Sequence, residues 1–159
     1  MEELTEYIKT ISNDDTKRDN QAQVILNWLI STHSKKYRSI KNPLYNMSFI
    51  TLLLSYLERI SYLDKNRVSY DSYCRYATFL QTSFLKENDY NKNMEKDLSL
   101  NNKSAFSMKD VIVNITENIE DPMFRVNVIL LTICLFKDEG NLTLKQKKFV
   151  ENLFTSLQI

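Results

Sequence analysis

One glycine, two prolines, two cysteines and a single histidine occur in 159 residues, and each scarcity excludes something. Tight hairpins and the phosphate-cradling loops of doubly wound sheets depend on glycine for positive φ, so a β-sandwich or a glycine-looped α/β layout is excluded. An all-α chain remains. With His33 as its only imidazole, the sequence has no His cluster, Cys–His pair or nucleophile elbow. The acidic pairs Glu2–Glu3 and Asp14–Asp15 read as solvated surface, so the chain is expected not to be an enzyme. Cys74 and Cys134 lie far apart within apolar helical patterns, as buried thiols do in a reducing compartment. No apolar run approaches the roughly 20 residues that cross a bilayer, and "MEELTEYIKT" places acid where a secretory leader carries positive charge. A cytoplasmic protein is expected.

Charge is nearly balanced. The 21 basic and 20 acidic residues leave a net charge of +1, which provides no global field toward nucleic acid or anionic lipid. The hydrophobic share of 43% suits one buried core, so residues 1–159 read as a single helical domain.

Apolar residues recur at helical spacing along most of the chain. Leu4, Ile8 and Ile11 mark a short first helix, ended by the polar run "SNDDTKRDN". Ala22, Val24, Ile25, Trp28 and Leu29 mark a second, reaching about His33, which is placed to interact with the helix dipole. "SKKYRSIKNPLYN" reads as a connector. Residues 48–63 are apolar on nearly every side, as in a central buried helix. Ser69 then stands where a cap belongs, ahead of a face formed by Tyr70, Tyr73, Cys74, Ala77, Leu80 and Phe84. A polar loop is expected over about 86–105. Ser107 and Asp110 resemble a capping arrangement before Met108, Val111, Ile112, Ile115 and Ile119. Asp121-Pro122 signals another helix start, and Thr143 caps a last helix striped by Phe149, Val150, Leu153, Phe154 and Leu157. The expected total is about seven helices.

Two distant segments share a pattern. When "LSYLERISYLDKNRVSYDSYCRYATFL" is laid without gaps on "VILLTICLFKDEGNLTLKQKKFVENLF", Leu57 meets Leu131, Ile60 meets Cys134, Asp64 meets Asp138, Asn66 meets Gly140, Val68 meets Leu142, and Ser69 meets Thr143. Each copy reads as buried helix, short polar loop, aliphatic residue, hydroxyl cap and amphipathic helix. Asn66 and Gly140 are the types that enter the left-handed region most readily, which accounts for the lone glycine as a helix terminator.

This pattern resembles the tellurite-resistance TerB family and related TerB-like domains, more closely over 121–159 than over 46–85. The resemblance implies two similar helix–loop–helix units packed about central buried helices. It also implies an acidic pair at each loop, and here the sequence departs: Glu139-Gly140 and Lys65-Asn66 replace Asp-Gly, while Gln146 and Ser72 occupy the positions of the second acid. Asp64, Asp138 and Glu139, with Asn66, Asp71 and Asn141 nearby, are the candidate ligands for Ca²⁺ if the loops converge. The expectation is no cofactor.

Binding surfaces are the remaining candidates. Lys35, Lys36 and Arg38 surround Tyr37 in a basic connector able to make one local anionic contact. Five tyrosines, Tyr56, Tyr62, Tyr70, Tyr73 and Tyr76, fall within the first unit, and those facing outward suit a protein interface, Tyr70 and Tyr73 being the chosen pair. The resemblance implies a non-enzymatic binding module with a protein partner, in a stress-response or defence setting. The other reading is a small helical inhibitor or immunity-type protein that sequesters one target.

Overall fold

The computed structural model describes residues 2–36, 43–63, 67–87, 108–109, 112–113, 121–137 and 141–157. Six helices are formed among them: α1 (Glu2–Thr10), α2 (Asp15–Lys36), α3 (Pro43–Ser61), α4 (Arg67–Glu87), α5 (Pro122–Phe136) and α6 (Leu144–Ser156). The expected helix after Ser107 is represented only by Met108–Lys109 and Ile112–Val113, all four helical.

Each of the other five helices packs against α5. The reason is compositional: from Phe124 to Phe136 its buried residues point in all directions, and Leu131 through Phe136 is one unbroken buried run. α3 is the second such helix, buried continuously from Phe49 to Leu57. Phe124 joins the layers, meeting Trp28 of α2 at 6.2 Å and Phe49 of α3 at 6.0 Å between ring centroids. Tyr7 of α1 stacks on Phe154 of α6 at 5.7 Å.

The caps follow local chemistry. Asp121 accepts from the Met123 N–H at 2.9 Å with Pro122 at the first helical position. Thr143 accepts from the Gln146 N–H at 3.1 Å while Gln146 Oε1 accepts from the Thr143 N–H at 2.9 Å, a reciprocal capping box. The residue at the expected acid position therefore has a backbone role, which an amide performs as well as a carboxylate.

Several expectations need correction. "SNDDTKRDN" is mostly helix, because Asp14 accepts from the Lys17 N–H at 2.9 Å and opens α2 within the polar run. Pro43 lies at the start of α3 and not in a connector, since a missing N–H costs nothing in a first turn. Ser69 is no cap: α4 begins at Arg67, and buried Ser69 heads the inward stripe Ser72, Tyr73, Tyr76, Ala77 and Leu80. The two units thus enter their second helices differently. Tyr70, Cys74 and Val24 face outward. His33 is buried and stacked on Phe49 at 3.8 Å, in the last turn of α2.

Two buried cations complete the core. Arg18 is 1% exposed; its Nη1 donates to the carbonyls of Ser12 and Asn13, each at 3.2 Å, and its Nη2 donates to Asp15. Lys137, 3% exposed, follows α5 directly, and its N–H caps Ile133 O at 2.8 Å. Both are held mainly by main-chain carbonyls at the α1–α2 corner, the helix end where positive charge is favoured.

Candidate functional site

Near the α3–α4 turn, a chain of rings runs from solvent into the core. α3 closes with tightened bonds from the Tyr62 N–H to Arg59 O at 3.3 Å and from the Leu63 N–H to Ile60 O at 3.2 Å. This turn rolls Tyr62 off the buried face. It meets Tyr70, in the first turn of α4, at a centroid distance of 5.5 Å and a 34° tilt. Tyr70 in turn meets Tyr73 at 5.9 Å and 46°. Such tilted contacts are favourable beyond the area they bury, and they hold each ring in place.

Exposure divides the three. Tyr62 is 56% exposed, Tyr70 39% and Tyr73 6%. The Tyr73 hydroxyl donates to Glu58 Oε2 at 3.0 Å, bridging α4 to α3 beneath the exposed pair. Burial, and then the Glu58 carboxylate, raise the Tyr73 phenol above its ordinary pKa. Tyr70 is also raised, first by Cys74 one turn along and then by Tyr62. These hydroxyls remain protonated donors at neutral pH. Tyr62 and Tyr70 form a rigid aromatic ridge anchored from below by Tyr73 and Glu58.

The expected site residues are distributed unevenly around it. Tyr70 belongs to the ridge, whereas Tyr73 is its buried support. Tyr56 and Tyr76 lie inside, with the Tyr76 hydroxyl donating to Cys134 O at 3.2 Å. Lys35 is exposed near the end of α2, and Tyr37 and Arg38 lie outside the described residues. Lys36 closes the helix, and its side chain is also outside that set. Asp64, Asn66, Asp138, Glu139 and Gly140 all lie outside the described residues, and Asp71 and Asn141 are exposed. Among the described residues no group of three or more His, Cys, Asp or Glu side chains is placed to hold a metal ion.

Tyr62 and Glu58 were missing from the selected pair. The signal for them was the i, i+4 spacing of Glu58 and Tyr62 at the end of α3, which places both next to the turn that brings Tyr70 back.

Compared with protein families, with curated proteins and with solved structures, the chain matches none. None of its described helices is long and apolar enough to cross a membrane.

Proposed function

We propose that this protein is a non-catalytic, TerB-like binding module that docks a protein partner on the Tyr62–Tyr70 ridge, in a stress-response or defence setting. The single observation that carries the docking is that two large aromatic rings are exposed while fixed by stacking and by the Tyr73–Glu58 bond beneath them. Rigid rings lose little conformational entropy on association, which is why tyrosine is common at binding hot spots. Partly buried Glu58 accepts from Tyr73 beneath the rings, and exposed Asp71 follows Tyr70 in the chain. The partner that fits presents an arginine, whose guanidinium stacks on a phenol face and pairs with a carboxylate. The family setting is supported by the pattern over 121–159 and by the buried-helix, Thr143-cap, amphipathic-helix order of α5 and α6.

The ridge also favours the second reading, a helical inhibitor or immunity-type protein, because a pre-formed aromatic surface suits tight stoichiometric capture of one target. Affinity capture from native lysate of the source cells, with Tyr62→Ala/Tyr70→Ala as the control, tests docking. A partner held by the wild type and lost by the variant, with the helical circular dichroism spectrum unchanged, is the expected result. Equal capture by both proteins would reject the ridge. One partner at fixed stoichiometry selects the sequestering reading, and several exchanging partners select the module.

A further inference from the structure

A cavity of about 560 Å³ opens between α1, the α1–α2 corner, Lys137 and α6. Its volume falls within the range of small-molecule sites. Ile8 and Ile11 contribute an apolar wall, Lys9, Lys147 and Glu151 also line it, and nearly sealed Lys137 forms part of its floor. Two of the three ammonium N–H donors of Lys137 are directed at Ile8 O, 2.6 Å away, and Ile11 O, 2.5 Å away, and the third has no partner among the described residues. Lys9 reaches Glu6 only at 3.7 Å, both side chains being largely exposed, so this pair does not hold Lys9 away from a ligand.

Among the described residues of the lining, three lysines stand against one glutamate, an excess of two positive charges. Behind Lys137 lies the guanidinium of Arg18, itself paired with Asp15; burial, and then Arg18, hold the lysine below its ordinary pKa. A concave surface with low-dielectric walls and uncompensated cations concentrates anions. Against the described lining a dianion balances the excess of two, whereas a single carboxylate does not. The cavity is larger than such an anion, and its apolar wall and Glu151 suit a carbon skeleton bearing a hydroxyl.

We propose that this cavity binds a small organic phosphate. The phosphoryl oxygens accept from the remaining Lys137 N–H and from the Lys9 and Lys147 ammonium groups, the carbon skeleton lies on Ile8 and Ile11, and Glu151 accepts from a ligand hydroxyl. This does not depend on the aromatic ridge, which lies at a different corner of the fold.

The test is thermal unfolding of the full chain in inorganic phosphate and in glycerol 3-phosphate, with ionic strength matched by chloride. A site ligand gives a saturable rise in melting temperature, because it binds the native state alone. Since Lys137 also closes α1, the deciding variant is Lys9→Gln/Lys147→Gln, which alters only surface positions. The expected result is a saturable rise with at least one of the two probes, weakened at least tenfold in apparent affinity by the double variant. No saturable rise with either probe, or a rise that the double variant leaves intact, overturns the proposal.

Discussion

The phenolic oxygen of Tyr56 lies 2.5 Å from Oγ1 of Thr132, with both side chains in the core between α3 and α5. The direction of this bond follows from its neighbour. Thr132 has one hydroxyl hydrogen, and it goes to Val128 O at 2.8 Å. Tyr56 is therefore the donor, and a short relay runs from its ring through Thr132 to the backbone of α5.

Replacing the two partners then has unequal effects. Tyr56→Phe removes the donor, and Thr132 keeps its bond to Val128, so the loss is about 1 kcal/mol. Thr132→Val leaves the Tyr56 hydroxyl buried without its acceptor, at about 2 kcal/mol. The double variant should cost less than the sum, because no polar group is then stranded. Urea unfolding of the four proteins measures the coupling, and simple additivity would show that the hydroxyls do not act as a pair.

Lys137 should matter more than a solvent-facing lysine. Lys137→Met retains the aliphatic stem and deletes two charge-assisted bonds to the end of α1, for a loss of about 3 kcal/mol. Hydrogen exchange should locate the damage: the amides of α1 should lose protection before those of α5. If the two helices exchanged alike, the tether would not be what holds α1.

Stability should fall at alkaline pH, and Cys134 provides a measurable share. Burial pushes its thiol from the model-compound 9.0 up to about 12. Above pH 9 the unfolded chain releases this proton while the native state retains it, so the unfolded state binds fewer protons and stability decreases as pH rises. Between pH 8 and 10 this amounts to about 1 kcal/mol. Tyr56 and Tyr76, also raised by burial, extend the decline above pH 10. Lys137 has the opposite sign: its lowered pKa makes the unfolded chain the better proton binder just below 10.5, which favours folding as pH rises there. Comparison with Cys134→Ala isolates the thiol, and the variant should show a shallower loss between pH 8 and 10. Parallel curves would mean that the thiol titrates alike in both states.

Calcium should leave the melting temperature unchanged at millimolar concentration. Gln146, where a second acid would stand, is buried and engaged in the Thr143 capping box, and Ser72 is buried in α4. Each replaces a charge that a hard cation needs. A saturable rise abolished by Asp138→Asn/Glu139→Gln would show that the acidic loops bind the ion after all.

The helix ends around α5 and α6 were legible because their determinants lie within three or four residues of each other. Asp121-Pro122 and Thr143 with Gln146 carry their caps in the local sequence, and the all-round apolar character of 128–136 required a helix enclosed by others. The candidate site was only half legible. Tyr70, Tyr73 and Tyr76 are spaced by three, so each ring sits about 60° around the helix from the last. The sequence shows an aromatic arc but not which part of it the core will cover. Packing of α4 against α2, α3 and α5 turned Tyr73 and Tyr76 inward and left Tyr70 out.

Composition and periodicity by themselves determined that the chain is all-helical, because scarce glycine and a 3.6-residue apolar repeat act through local backbone preferences and one-sided burial. They did not reveal that Arg18 and Lys137 would be buried. A cation enters a core only where other polar groups replace its water: those of Arg18 lie within six positions, whereas the carbonyls that receive Lys137 lie 129 and 126 positions away. Such a partner comes into being only when the helices dock. The fate of Lys137, of the tyrosine arc and of the cavity above the lysine was therefore decided by tertiary structure alone.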